Sequence, residues 1–131
     1  MRSLLRSLRP AKYQSVVGCT SKTVPGVSFT VRRMSLGRRI RLAAAIRDLA
    51  SEFEFHQAGG SPKDQVEAAV LSARIDRIYL LWGVKEIRGL LIDGENPSAD
   101  TLFSRGPEAL LREIVDRIKK ECGLTEDERK N

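Results

Sequence analysis

Arginine is the residue type whose clustering in this sequence points to chemistry. The stretch VRRMSLGRRIR, residues 31–41, carries five arginines in eleven positions, and no Asp or Glu precedes it in the chain. Guanidinium groups at this density suit contacts with phosphates or with the carboxylates of an acidic protein. The candidate partner-binding residues are these five arginines and the next one along the chain: Arg32, Arg33, Arg38, Arg39, Arg41 and Arg47.

Groups suited to catalysis or metal binding are scarce. The single histidine, His56, follows Glu52 by one helical turn, which predicts a solvated pair because no second imidazole can complete a metal site. Cys19 and Cys122 lie far apart without a CxxC pair, which indicates two free, half-buried thiols. The sequence contains no nucleotide-binding or hydrolase motif. We therefore expect no enzymatic activity, no cofactor and no metal.

Charge is divided unevenly along the chain. Residues 1–47 contain eleven Arg and Lys and no acid, whereas residues 48–131 contain twelve Arg and Lys against seventeen acids, within a net charge of +6. This division favours a charged protein partner or head-to-tail self-association over a uniformly basic nucleic-acid coat. The longest apolar stretch, residues 78–84, is too short to cross a bilayer, so we expect no membrane association.

A strand and a long helix position the arginines. Apolar residues alternate with polar ones over 27–32, which predicts a short strand. Ser35 is suited to cap a first helix over about 36–57 that stops at the Gly59-Gly60 pair. Two rows of helical period run along this helix, one through Ile40, Ala43, Ala44 and Arg47, the other through Leu42, Ile46, Leu49 and Phe53.

Two further helices are predicted downstream. Ser61 and Pro62 begin the second, which ends near Gly83, and an extended segment then closes on a turn at Asp93-Gly94. A short helical turn follows at about 98–100. The third helix begins at Pro107 and carries charged pairs in the favourable i,i+4 order, Glu108–Arg112, Glu113–Arg117 and Asp116–Lys120.

These elements predict an α+β, mainly helical protein of about three helices, with a short N-terminal strand and a short hairpin between the second and third helices. The domain is expected to span residues 23–123. Residues 1–22 are predicted to be a flexible basic arm, for which a mitochondrial presequence is the alternative. Residues 124–131 are predicted to be an exposed charged tail.

Several strings taken together are similar to one class of protein. VPGVSFTVRRMSLGRRIRL (24–42), AAVLSARIDRIYLLWGVKEIRGLLIDGENPSADTL (68–102) and GPEALLREIVDRIKKECGLTEDERKN (106–131) resemble tail assembly chaperones of long-tailed bacteriophages and prophages. The most characteristic element reads I-x-G-L-x-I-D-G over residues 87–94. The resemblance covers roughly residues 23–131 and leaves the basic arm outside it.

The resemblance implies a protein without catalysis, in the cytoplasm of a bacterial host. It implies binding to the tape-measure and tail-tube proteins of the same phage before tube polymerisation, and assembly into homo-oligomers. The alanine-rich RLAAAIRDLA at 41–50 would offer a smooth surface to an amphipathic helix, with arginines at its border. A nucleic-acid-binding module using the 32–41 arginine cluster remains the alternative, although Tyr13 and Phe29 are the only aromatic residues in its half of the chain.

Overall fold

The computed structural model describes residues 9–123. Within that range the chain forms four helices and three strands, in the order β1 (Val16–Thr20), β2 (Ser28–Arg32), α1 (Leu36–Gly59), α2 (Pro62–Gly83), β3 (Val84–Arg88), α3 (Ala99–Arg105) and α4 (Glu108–Glu121). The predicted α+β, mainly helical class is confirmed. The number of helices is four because the helical turn expected near residue 98 extends to a seven-residue helix, α3. The predicted charged tail at 124–131 lies outside the described residues.

The sheet is antiparallel, with β2 in the middle. Phe29 and Val31 of β2 are buried, as the predicted alternation requires. The prediction of a flexible arm over 1–22 is wrong for residues 16–20, which form edge strand β1. This strand carries Gly18 and only half-buried apolar side chains, and backbone pairing with β2 holds it in place, so its side chains give little strand signal. Residues 1–8 of that arm lie outside the described range.

The segment after α2 also differs from the prediction of a local hairpin. Its strand β3 pairs with β2 from far earlier in the chain, with Phe29 opposite Ile87. Only the Ile92–Glu95 bridge closes locally, around a turn at Asp93-Gly94 where both residues have positive φ. The turn was predicted correctly, but the pairing partner was not, because local sequence does not specify a long-range strand partner.

Helix α4 lies against β2 and α2 and supplies much of the core. Leu110, Ile114 and Ile118 are fully out of contact with solvent, and they pack with Leu80 of α2 and Val31 of β2. The core is one continuous cluster that also includes α3 and the residues flanking the strands. Helix α4 therefore turns one apolar side to this core.

Helices α1 and α2 form a long antiparallel hairpin. Ser35 caps α1 by accepting a hydrogen bond from the Arg38 N–H, Gly60 ends it in the left-handed conformation, and Ser61 caps α2. These boundaries match those predicted. α1 packs mainly on α2, and Leu42 is the only buried residue among its 24. Most of this helix is therefore exposed to solvent.

The polar pairs on α4 are only partly those predicted. Arg112 donates to Glu108 at 2.8 Å as expected, whereas Arg117 donates to Glu121. Glu113 instead accepts hydrogen bonds from the β1–β2 loop, at 2.6 Å from the Ser21 hydroxyl and at 2.6 Å from the Lys22 N–H. The carboxylate thereby joins α4 to the loop that leads into the central strand.

Candidate protein-docking surface

Arg38, in the first turn of α1, is directed toward the end of α2. Its guanidinium donates to the Trp82 carbonyl at 2.8 Å and lies 5.1 Å from the centre of the Trp82 ring. This places a cation at the C-terminal end of α2, where exposed carbonyls carry partial negative charge. Trp82 is half-buried and packs against the core, so its side chain contributes to the fold.

Arg39 makes the corresponding contact with α4. It donates from Nη1 to the Cys122 carbonyl at 3.0 Å, at the point where α4 ends. The position of Arg38 and Arg39 is unfavourable for α1 itself, since a cation near a helix N-terminus opposes the helix dipole. The ends of two other helices compensate for that cost, so these arginines connect the base of α1 to α2 and α4.

Arg32 and Arg33 lie on the sheet side of the cluster. Arg32 is half-buried in β2 opposite Val16, and Arg33 donates to the Gln14 carbonyl at 3.3 Å. The Arg33 guanidinium also lies 6.0 Å from the centre of the Tyr13 ring. The arginine cluster is therefore distributed over a strand and a helix and does not form one continuous groove.

Arg41 and Arg47 are the two candidate arginines of α1 that make no hydrogen bond to another element of the described chain. Arg41 makes one long hydrogen bond, at 3.4 Å from Nε to the Gly37 carbonyl of its own helix. Arg47 has no hydrogen bond or ion pair with any residue in the described range. Both guanidinium groups are thus available to a partner, and whether any of the six arginines binds one stays a prediction.

The exposed side of α1 carries a regular row of side chains, which we name the outer face. Its members recur at spacings of four and three residues: Leu36, Ile40, Ala43, Arg47, Ala50 and Glu54. Leu36 and Ile40 are 65% and 61% exposed, although both are large aliphatic residues. The row through Leu42, Ile46 and Leu49 turns instead toward α2 and the core. A second heptad-like row without a partner is typical of a helix that packs on another helix.

Two shallow hollows follow the outer face. One, of about 440 Å³, is lined by Leu36, Ile40 and Tyr79 beside Arg39 and Cys122. The other, of about 550 Å³, is bounded mainly by alanines and by Arg47 and Glu54. Small side chains allow a second backbone to approach closely, and the adjoining aliphatic residues can exclude water. The geometry suits a helix laid along α1 better than a compact small molecule.

The remaining titratable groups have structural partners. His56 pairs with Asp64 across the hairpin turn, at 2.9 Å between Nδ1 and Oδ1, in place of the Glu52 predicted from spacing. The hydrogen bond from His56, with that from Ser61, lowers the pKa of Asp64. Cys122 is buried, and burial raises the pKa of its thiol. In the part of the chain that the structure describes, no three His, Cys, Asp or Glu side chains lie together in a metal-binding arrangement.

None of the described helices is long and apolar enough to cross a membrane.

No family model, curated protein or solved structure matches this chain. The similarity to tail assembly chaperones therefore stays a prediction from the sequence. The outer face adds candidate partner-binding residues beyond the six predicted arginines, above all Leu36, Ile40 and Ala50. The sequence indicated them through a second apolar row on the first helix, since the row through Leu42, Ile46 and Leu49 suffices to pack that helix on the core.

Proposed function

We propose that this protein is a non-enzymatic assembly protein of a phage or prophage tail, a chaperone whose α1 outer face binds helices of the tape-measure and tail-tube proteins before the tube polymerises. The observation that carries the proposal is the exposure of Leu36 and Ile40 beside an alanine-rich row on the longest helix of the fold. Its setting is the cytoplasm of the bacterial host, where those tail proteins are made.

The physical argument concerns what an unassembled tail protein needs. A long amphipathic helix without its partners exposes an apolar row that promotes aggregation. The outer face offers aliphatic side chains at its base and alanines further along, so it can cover such a row by close helix packing. The buried apolar area supplies affinity, and the charged border selects the partner.

Two of the six candidate arginines are best placed for that selection. Arg47 lies on the outer face and Arg41 lies further around α1, and both are exposed, whereas Arg38 and Arg39 already contact the ends of α2 and α4. We therefore assign recognition of acidic partner residues to Arg41 and Arg47. Reversing Arg38 or Arg39 would disturb the fold and would leave partner binding ambiguous.

The test is co-expression of the tagged chain with the long helical product of a neighbouring tail gene, followed by capture and by measurement of that product's soluble yield. Ile40→Asp is expected to reduce capture at least tenfold, because a carboxylate replaces an aliphatic contact within the docking surface. Val66→Asp on α2 is the matched control, since Val66 is 62% exposed and Ile40 61%. Equal capture by both variants, or no capture by the native chain, would contradict the proposal.

A salt titration of binding to duplex DNA separates this function from nucleic-acid binding. Phosphate contacts by the arginine cluster would give an affinity that falls by about one log unit per log of salt for each ion pair. The proposal predicts no DNA affinity beyond that of a control protein of equal net charge.

A further inference from the structure

The charges of α1 are separated into two halves. Its first twelve residues contain four arginines and no acid, whereas its last twelve contain three acids and no Arg or Lys: Arg38, Arg39, Arg41, Arg47, then Asp48, Glu52, Glu54. The arginines of the first turn oppose the helix dipole, since a cation is disfavoured at a helix N-terminus. The contacts of Arg38 and Arg39 compensate for part of the cost at the base. The acids in the second half of α1 have no such contact with another element in the described range.

The acids of α1 have no ionic partner within the described chain. Across residues 9–123 there are seven ion pairs, and none of them involves Asp48, Glu52 or Glu54. The guanidinium end of Arg41 is equally without a partner in that range, since its one hydrogen bond comes from Nε. Unpaired guanidiniums thus lie in the first half of this exposed helix and unpaired carboxylates in its second half.

We infer that α1 packs against α1 of a second copy of this chain, antiparallel and about a two-fold axis near Ala44. An antiparallel arrangement places the basic half of each helix against the acidic half of the other, which satisfies both ends at once. A parallel arrangement would bring like charges together. The charge order of the helix therefore specifies both the occupant, a second copy, and its orientation.

The two-fold axis near Ala44 makes a specific pair of contacts. Arg41 and Asp48 are separated by seven residues, or almost two turns, so both lie on the same side of α1, about 40 to 60° around the helix axis from Ala44. With the axis midway between them, Arg41 of each copy lies opposite Asp48 of the other. The pair occurs twice in the dimer, because the same patch is used by both copies.

Side-chain size agrees with this register. The large residues Leu36 and Ile40 lie at the base of the outer face, and Ala50 and Ser51 lie toward its tip. With the axis midway between Arg41 and Asp48, Ile40 of one copy lies beside Ser51 of the other, and Ala44 lies at the closest approach. The small residues Ala44 and Ser51 therefore allow the two helices to approach closely.

This inference does not depend on the proposed function, although the two share a surface. A dimer covers the outer face when no tail protein is present, and an incoming helix then replaces the second copy. Dimerisation is measured on the purified chain, whereas capture is measured with a co-expressed tail protein. A negative result in one experiment therefore does not contradict the other proposal. The two proposals can thus be tested separately.

The test uses charge reversal and sedimentation analysis of the purified full chain. Arg41→Glu and Asp48→Lys, each alone, are expected to raise the dimer dissociation constant by roughly tenfold or more, because both reciprocal pairs become repulsive. The double variant R41E/D48K restores dimerisation with the pairs reversed. A mixture of the two single variants forms a heterodimer, because the introduced glutamate of one copy then faces the introduced lysine of the other, while the native Arg41 faces the native Asp48.

Arg74→Glu is the matched control, since Arg74 is exposed on α2 and changes the net charge by the same amount as Arg41→Glu. It is expected to dimerise like the native chain. A native chain that stays monomeric at high micromolar concentration would overturn the inference. Single variants that dimerise normally, or a mixture that fails to associate, would overturn the antiparallel register.

A disulfide across the axis gives an independent measurement. Ala44→Cys is expected to form a covalent dimer under mild oxidation, whereas Ala69→Cys, exposed on α2, is expected to remain monomeric. The native chain, with its half-buried Cys19 and buried Cys122, reports the background. Equal crosslinking at residues 44 and 69 would contradict an axis at Ala44.

Discussion

Replacing Arg38 by alanine is expected to destabilise the protein, whereas the same replacement of Arg41 is expected to leave the stability of the monomer nearly unchanged. Both residues lie in the first turns of α1, but only Arg38 reaches another element. It donates to the Trp82 carbonyl at 2.8 Å and stacks on the Trp82 ring. Arg41 contacts only the Gly37 carbonyl of its own helix, at 3.4 Å.

The magnitude for Arg38→Ala follows from two favourable contributions of Arg38 and two unfavourable ones. A hydrogen bond from a charged donor contributes about 1.5–3 kcal/mol, and the ring contact about 0.5–1 kcal/mol. Removing a cation from the helix N-terminus returns about 0.3–1 kcal/mol. The Arg38 Nε is buried without a hydrogen-bond partner in the described range, so the native side chain already carries a desolvation cost that alanine removes. The expected net loss is about 1–3 kcal/mol.

Arg41 lies in the second turn of α1, beyond the main reach of the helix dipole, and makes no contact with another element of its own chain. We therefore expect Arg41→Ala to change the free energy of unfolding of the monomer by less than about 0.5 kcal/mol. Urea denaturation followed by circular dichroism measures both variants, with the slope of the transition checked for constancy. Equal effects of the two substitutions would refute the argument that Arg38 is held for its contact with α2. A measured stabilisation by Arg38→Ala would refute it more strongly.

Three further predictions concern the fold. Burial raises the pKa of Glu113, but hydrogen bonds from the β1–β2 loop outweigh it and hold the pKa below the ordinary 4.5. Glu113→Gln should therefore lower the free energy of unfolding by about 1–3 kcal/mol at pH 7. The difference in stability between this variant and the native chain should vanish as pH falls through the lowered pKa, because the native carboxylate is then protonated. Denaturation measured between pH 7 and pH 3 tests this. Gly83→Ala should cost about 1–3 kcal/mol in urea denaturation, because a Cβ there collides with Ile118. At Gly37, within α1, an added Cβ meets open space. Gly37→Ala should therefore raise the free energy of unfolding by about 0.5–1 kcal/mol and so raise the midpoint of thermal unfolding.

Much of the fold was predictable because its helices are delimited by local chemistry. Ser35, Gly60 and Ser61 mark helix boundaries through hydrogen bonds and backbone angles that involve a few neighbouring residues. The pairing of β2 with β1 and β3 was not predictable in the same way. β3 comes long after β2 in the chain, and which strand it joins depends on how α4 and α2 close the core.

The same distinction applies to the docking surface. The arginine cluster was visible in the sequence, but the chain fold decides which guanidiniums stay available, since Arg38 and Arg39 reach carbonyls 44 and 83 residues away. The charge pairs predicted on α4 failed for Glu113 for a similar reason. A loop from the other end of the chain offers its carboxylate three hydrogen-bond donors, and Arg117 pairs with Glu121 instead.

The central claim is that the outer face of α1 is where tail proteins bind. Its most direct measurement is photo-crosslinking in cells that express the tail genes, with a photoreactive residue placed at Ala44 or, separately, at Val66. We predict an adduct with the tape-measure protein from residue 44 and none above background from residue 66. Adducts of equal yield from both positions, or self-adducts alone from residue 44, would contradict that claim.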